Sequence, residues 1–148
     1  MTREIRTSDI TDAIARLSFE AATDLGQDVE ALLRRAAETE TSPLCAPVLR
    51  EVLENARYAR ENGIPICLDT GVAVVFAEIG RDAHIDGDLY AAIDGGVRRG
   101  YKNLRASVLD PLTRLNTGDN TPAVVHISLV GATGCASYSR RRAQAAKT

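Results

Sequence analysis

The chain has few cysteines, few aromatic residues and no tryptophan. Its three cysteines, Cys45, Cys67 and Cys135, are an odd number at wide spacing and form no C-x-x-C pair. This spacing argues against a disulfide framework and excludes a zinc or cluster site built only from neighbouring ligands. Aromatic residues make up 4% of the chain, which leaves little material for stacking on nucleic-acid bases.

Strong net charge and long apolar runs are also missing. The formal net charge is −2, so electrostatics favour neither nucleic acid nor an anionic membrane as a partner. No run approaches the roughly 20 apolar residues that a membrane-spanning helix needs. The N-terminal residues are charged and lack the apolar region of a signal peptide. We therefore expect a cytoplasmic protein that binds neither nucleic acid nor membrane.

What is present is typical of one globular domain of the α+β class. Hydrophobic residues make up 45% and charged residues 26% of 148 residues, which suffices for a packed core. Hydrophobic periodicity predicts an N-terminal helical bundle packed on a small mixed β-sheet. We expect helices at about Thr7–Leu25, Asp28–Thr39, Ser42–Gly63 and Leu89–Arg99, and strands at Val72–Ile79 and Ala123–Val130.

Two details of this pattern carry further expectations. The segment Val72–Ile79 is apolar at nearly every position and rich in β-branched residues, which predicts a central strand covered on both faces. The pair Gly95–Gly96 interrupts the fourth helix. Glycine lowers helix propensity, so we expect the pair to lie against another backbone. The dipeptide Asp86–Gly87 predicts a turn.

The hexapeptide I-C-L-D-T-G, Ile66–Gly71, brings a thiol, a carboxylate and a hydroxyl together beside a glycine. One reading is a turn that enters the strand: Asp69 bonds the backbone, Gly71 adopts a positive φ, and Cys67 is a small buried hydrophobe. The other is a site in which the Cys67 thiolate binds a metal beside an acidic group that moves protons. Local sequence leaves both readings open.

Polar residues further along the chain supply possible partners. Arg105 lies outside any helical pattern, and arginine suits bidentate capture of a carboxylate. The run N-T-G-D-N, residues 116–120, is either a turn or a set of donors for a polar substrate. Arg98, Arg99 and Lys102 fit a solvated helix face, and neither histidine is expected to be catalytic.

Five motifs carry a resemblance to a known family. The segment from Val52 to Val130 is similar to the N-terminal half of the α region of class I (iron–sulfur) fumarate hydratases and their L(+)-tartrate dehydratase relatives. The motifs are E-N-A-R-Y-A at 54–59, I-C-x-D-T-G at 66–71, G-V-R-R-G-Y at 96–101, L-R-x-S-V-x-D-P-L at 104–112 and N-T-G-D-N-T-P-A at 116–123.

The resemblance implies a hydro-lyase that adds or removes water across a C–C double bond of a C4 dicarboxylate such as fumarate/malate or tartrate/oxaloacetate. It implies a [4Fe–4S] cluster held by three cysteines and acting as a Lewis acid, and a β subunit or β domain in a complete, oligomeric enzyme. Carried onto this chain, it implies the following roles: Cys67 as a cluster ligand, Asp69 in proton transfer and substrate contact, Arg105 on a substrate carboxylate, and Thr70, Asn116 and Thr117 as substrate contacts.

The chain departs from the family pattern in two places. Leu68 replaces the glutamine of C-Q-D-T-G, and the other two cluster cysteines have no match, since Cys45 and Cys135 occupy other positions. We expect residues 1–130 to be the N-terminal portion of the α domain and 131–148 to be a basic, disordered tail outside the family. Back-translation of the tail in another frame can give a segment ending G-S-E-N, which is typical of the family, so we expect truncation or a frameshift after about Val130. The alternative is a natural short paralogue with a disordered tail.

On this interpretation the isolated chain is an incomplete domain that binds no cluster and has no hydratase activity. The alternative is a non-catalytic interaction or regulatory module derived from the same family, which the apolar Leu68 favours slightly. A thiol redox protein that uses Cys67 is a weaker reading, because no resolving cysteine is near in sequence.

Overall fold

The computed structural model describes residues 3–68 and 70–131. Helices and strands occur together in this part, which confirms the α+β class. Cys135 and the tail expected to be disordered lie outside the described residues. The elements in chain order are β1 (Arg3–Ile5), α1 (Thr7–Thr23), α2 (Gln27–Thr39), α3 (Cys45–Asn62), β2 (Val74–Gly80), β3 (Ala83–Ile85), α4 (Leu89–Gly100) and β4 (Val124–Val130).

The chain divides into two compact units. The hairpin unit comprises Ala22–Leu68, and the sheet unit comprises Met1–Ala21 together with Asp69–Thr148. None of the helices in the described ranges is long and apolar enough to cross a membrane.

In the hairpin unit, α2 and α3 lie in contact with each other. Ala56 and Ala59 of α3 are buried, whereas α2 has no buried residue. Arg60 of α3 forms an ion pair with Glu30 of α2 at 2.5 Å. Gly63 ends α3 with φ 62°, the left-handed conformation that glycine adopts most easily. The predicted end of this helix is therefore confirmed.

In the sheet unit, α4 packs on α1 at a glycine contact. A Cβ atom on Gly96 would lie 2.6 Å from the Ile14 Cβ and 2.8 Å from the Thr11 carbonyl oxygen. A Cβ on Gly95 would lie no closer than 3.8 Å to the Thr11 side chain. The expected close approach of α4 to another backbone is thus confirmed, and Gly96 is the residue of the pair that makes it.

The strands form two parallel pairs. β1 pairs with β3, and β2 pairs with β4 in the register Val74↔Val124 to Gly80↔Val130. Within the described ranges each sheet has two strands, whereas the sequence pattern predicted one mixed sheet. β1 and β3 have three residues each, too few for an alternating pattern to be recognised. Asp86, in the predicted turn, accepts the Thr7 N–H at 2.7 Å and so caps α1.

The prediction that residues 72–79 form a central, doubly covered strand is wrong for the part of the chain that the structure describes. β2 has β4 on one edge, and the Phe76 side chain is 53% exposed. On β4, Leu129 is 76% exposed. The apolar sequence indicated burial, but the described residues place few side chains over this sheet. β2 also begins at Val74, after Gly71 with φ 65°.

Candidate functional site

Three irregular segments of the sheet unit meet in a polar network that we call the loop core. It consists of residues 70–71, 105–108 and 116–120, and it lies next to the buried cluster of Ala73, Val97 and Tyr101. Backbone groups in irregular segments need side-chain partners once they are buried. The side chains of the loop core supply these partners.

Thr70 joins the first segment to the second. Its side chain is 7% exposed, and its hydroxyl donates to the Arg105 carbonyl oxygen at 2.5 Å. The Ser107 hydroxyl lies 3.0 Å from the same Thr70 oxygen. The Tyr101 hydroxyl donates to the Thr70 carbonyl oxygen at 3.3 Å. Both the side chain and the backbone of Thr70 are therefore fixed.

Asn120 joins all three segments, and its side chain is 0% exposed. Its Oδ1 accepts the N–H groups of Ser107 at 2.8 Å and Val108 at 3.2 Å. Its Nδ2 donates to the Gly71 carbonyl oxygen at 3.0 Å. The backbone of Asn120 has φ 62°, a conformation in which asparagine is enriched among residues with a side chain.

The start of the N-T-G-D-N run is tied to the same second segment. The Asn116 amide donates to the Ala106 carbonyl oxygen at 2.9 Å and accepts the Gly118 N–H at 2.8 Å. The Thr117 N–H donates to the Val108 carbonyl oxygen at 2.9 Å. The Thr117 hydroxyl oxygen is buried and has no hydrogen-bond partner among the described residues.

Asp119 supplies the carboxyl group of the loop core, and its pKa is strongly lowered. Hydrogen bonds from the Thr121 hydroxyl at 2.6 Å and the Arg98 guanidinium at 2.7 Å lower its pKa to about 2. Arg98, which the sequence pattern placed on a solvated face, thus anchors the loop to α4. The neighbouring phenol of Tyr101 has a raised pKa because burial disfavours its charged form, and the Asn120 side chain opposes this shift.

Arg105 has a fixed backbone and an exposed side chain. Its carbonyl oxygen is held by Thr70. Of the ion pairs formed by residues 3–68 and 70–131, none includes Arg105. The guanidinium therefore keeps its five N–H donors for an external carboxylate.

Cys67 and Leu68 belong to the hairpin unit. The preceding residue, Ile66, is held through its N–H by Ala22 at 3.0 Å and through its carbonyl by Asn55 at 3.0 Å. The Cys67 thiol is free and exposed, so the reading of Cys67 as a buried hydrophobe is wrong. Leu68 is 82% exposed.

Of the residues predicted for the site, the structure brings four together: Thr70, Arg105, Asn116 and Thr117 all contribute to the loop core. Cys67 belongs to the other unit, and Asp69 lies outside the described residues. The sequence analysis included Asn120 in the run 116–120 and Ser107 in the motif 104–112 but gave neither residue a role of its own. One signal for Asn120 was available, because asparagine in a polar turn favours the left-handed conformation.

The donor set for an iron–sulfur cluster is incomplete in the described part of the chain. There, no group of three or more His, Cys, Asp or Glu side chains is arranged to hold a metal ion. Cys45 and Cys67 are the described cysteines, and both are free. A cluster held by three thiolates does not fit these residues alone, and we derive no chemical step through it.

Comparison with known proteins finds one matching family model and several curated relatives. A model of the fumarate hydratase (Fumerase) family matches residues 11–137. The putative L(+)-tartrate dehydratase subunit alpha of Methanocaldococcus jannaschii is 34% identical over 123 residues, covering 78% of this chain and 43% of that protein. The L(+)-tartrate dehydratase subunit alpha of Escherichia coli K12 is 25% identical over 114 residues, covering 76% of this chain and 38% of that protein.

The chain spans about two-fifths of the length of these curated relatives. The matched family region includes the loop core, β2, α4 and β4. The polar network around Thr70 and Asn120 therefore lies within the part of the chain that the family model matches.

Proposed function

The chain belongs to the fumarate hydratase (Fumerase) family, and from this we propose that it is the N-terminal part of the α region of a hydro-lyase. The substrate is a C4 dicarboxylate of the fumarate/malate or tartrate/oxaloacetate type. The complete enzyme includes a β subunit or β domain, consistent with relatives that are named alpha subunits of L(+)-tartrate dehydratase.

The observation that carries this proposal is that Arg105 combines a fixed backbone with an exposed guanidinium group. Its backbone is fixed by the buried Thr70, while its exposed guanidinium has no ion pair among the described residues. A held backbone with an uncommitted cation suits capture of a carboxylate. The buried, unpaired Thr117 hydroxyl on the segment bonded to Val108 supplies a further polar group nearby in the fold.

Each residue then has a simple task. Arg105 binds one substrate carboxylate, Thr70 fixes the Arg105 backbone, and Asn116 and Thr117 form the polar wall of the site. Asp69 is the group proposed to accept or donate the proton during hydration. In the complete enzyme Cys67 would be one thiolate ligand of a [4Fe–4S] cluster, whose other ligands the described residues do not supply and which would contribute Lewis acidity.

Binding of dicarboxylates to the chain tests the proposal. Isothermal calorimetry and thermal unfolding are measured with L(+)-tartrate, L-malate and fumarate. When the free ligand is present at about 100 times its Kd, binding is expected to raise the melting temperature of the protein by about 5 °C. Arg105→Ala is expected to abolish the increase. Arg16→Ala, which removes the same charge from an exposed position on α1, serves as the control. No response of the wild type to any of the three acids would refute the proposal.

One observation favours a second function, a non-catalytic interaction module. Leu68 stands where the family pattern has a glutamine and exposes 82% of its surface. An apolar side chain there leaves a polar substrate atom unpaired, at a cost of about 1–3 kcal/mol. Leu68→Gln distinguishes the two functions: it should tighten dicarboxylate binding in a degenerate substrate site, and it should leave binding absent in an interaction module.

A further inference from the structure

Arg105 lies in a stretch of chain without regular structure. Between the end of α4 at Gly100 and the start of β4 at Val124 the described backbone forms neither a helix nor a strand. The β-type backbone pairing nearest to Arg105 is an isolated antiparallel bridge between Leu109 and Asn116. The position of the Arg105 backbone therefore depends on bonds from side chains elsewhere in the sheet unit.

Two buried side chains provide such bonds at Arg105 and just after it, and the exposed Asn116 amide adds one to the Ala106 carbonyl oxygen. Thr70 binds the Arg105 carbonyl oxygen. Asn120 binds the N–H groups of Ser107 and Val108, two and three residues further on. The same Asn120 amide also holds the carbonyl oxygen of Gly71, the residue after Thr70. The Asn120 side chain thus adds a second connection between residues 70–71 and the segment of Arg105, beside the direct bond from Thr70.

Burial makes this connection specific. Asn120 is 0% exposed, so its hydrogen bonds do not compete with bulk water in the folded protein, and they fix the loop more strongly than exposed bonds would. Asparagine has both the acceptor and the donor that the three backbone partners require.

We propose that Asn120 is a positioning residue for dicarboxylate binding: by joining Gly71 to Ser107 and Val108, it holds Arg105 in the place where its guanidinium meets a substrate carboxylate. This inference rests on the proposed function. Asn120 itself does not touch the substrate; it acts through the backbone that carries Arg105.

The variant Asn120→Gly removes the side chain but keeps the backbone conformation, because glycine adopts φ near 62° without strain. Asn103→Gly is the matched control, since Asn103 precedes the same segment and is exposed. Affinity for L(+)-tartrate, L-malate and fumarate is measured by calorimetry at a temperature at which circular dichroism shows both variants to be folded. We expect Asn120→Gly to weaken binding about tenfold or more and Asn103→Gly to leave it within about twofold.

A double-mutant cycle with Arg105→Lys separates positioning from general stability. If Asn120 acts through Arg105, its removal costs about tenfold in the wild type and less than about threefold in the Arg105→Lys background. Two effects that simply multiply would overturn the proposal, as would unchanged affinity in Asn120→Gly.

Amide hydrogen exchange distinguishes failure of this inference from failure of the proposed function. If the wild type binds none of the three acids, the proposed function fails. The connection made by Asn120 is then judged by exchange alone. Faster exchange, by about tenfold, at Ser107 and Val108 in Asn120→Gly but not in Asn103→Gly upholds it, and unchanged exchange at these amides overturns it.

Discussion

The loop core and the β2–β4 sheet are both parts of the sheet unit, but they differ in burial in an unusual direction. The irregular loops are buried, and the regular sheet is exposed. The loop core has no regular structure, yet Asn120 and Thr70 are almost completely buried. The β2–β4 sheet is a regular parallel pair of seven residues per strand, yet Phe76 and Leu129 are largely exposed. Loops generally run over protein surfaces, and parallel sheets are generally covered on both faces.

The difference shows which side chains of the sheet unit should matter most for its stability. In the loop core, side chains satisfy buried backbone groups one by one, so each polar residue has a definite task. In the described sheet, apolar residues such as Ile127 and Leu129 lie on a face that is largely exposed. Changes in the loop core and around α4 should therefore have large effects on stability, and changes on the sheet should have small ones.

The largest contrast should come from adding the same side chain at two glycines. Gly96→Val places atoms within 2.6 Å of Ile14, and we expect a loss of more than about 3 kcal/mol in the free energy of unfolding. Gly80→Val is the control on β2, where a new Cβ meets nothing within 4 Å. Urea denaturation measures both variants. Equal losses for the two variants would show that the packing difference between α4 and the sheet is not real.

The next effect should come from the Thr70 hydroxyl. Thr70→Val keeps the shape of the side chain but leaves the Arg105 carbonyl oxygen without its partner. A buried group left unpaired costs about 1–3 kcal/mol, and we expect about 2 kcal/mol. Thr70→Ser keeps the hydroxyl and should retain most of the stability. If the valine and serine variants unfold at the same urea concentration, the hydroxyl contributes nothing.

A smaller effect should appear at low pH. Bonds from Thr121 and Arg98 lower the pKa of Asp119 to about 2, below its value in an unfolded chain, near 3.9. The stability from this carboxylate is therefore present above about pH 4 and is lost as the pH falls toward about 2. We expect Asp119→Asn to cost about 1 kcal/mol at pH 6, because solvent screening weakens this partly exposed pair.

The same variant provides the control for this pH dependence. At pH 2 the difference in stability between the wild type and Asp119→Asn should be much smaller than at pH 6, since the wild-type carboxylate is then about half protonated. Urea denaturation at both pH values measures the difference. A gap between the two proteins that does not change with pH would contradict the assignment.

The smallest effect should come from the exposed face of the sheet. Leu129 is 76% exposed, so Leu129→Thr should change the free energy of unfolding by less than about 0.5 kcal/mol. Removing an exposed apolar side chain should at the same time reduce self-association. Light scattering and thermal unfolding measure these two properties. A loss of more than about 2 kcal/mol would show that Leu129 is packed in solution.

Local patterns predicted most of the regular structure. Helix periodicity located α1 to α4, the left-handed Gly63 ends α3 as expected, and the glycine pair of α4 indicated the contact that Gly96 makes with α1. β1 and β3 could not be predicted, because a three-residue strand forms through pairing across the chain rather than through its own pattern.

For the candidate site, the sequence suggested residues but not the bonds between them. Chemistry and family resemblance indicated Thr70, Arg105, Asn116 and Thr117, and the structure places all four in the loop core. The role of Asn120 depends on partners up to 49 residues away in sequence, which no local pattern contains. For the same reason the strand β2 was expected to be covered: its composition indicates burial, and burial depends on what the rest of the fold supplies.

An NMR titration of isotope-labelled protein with L(+)-tartrate tests dicarboxylate binding at the loop core most directly. We expect saturable shifts of the amides of residues 70–71, 105–108 and 116–120, with little change on the sheet formed by β2 and β4, and loss of these shifts in Arg105→Ala. Shifts confined to the sheet, or no shifts at all, would contradict a dicarboxylate site at the loop core.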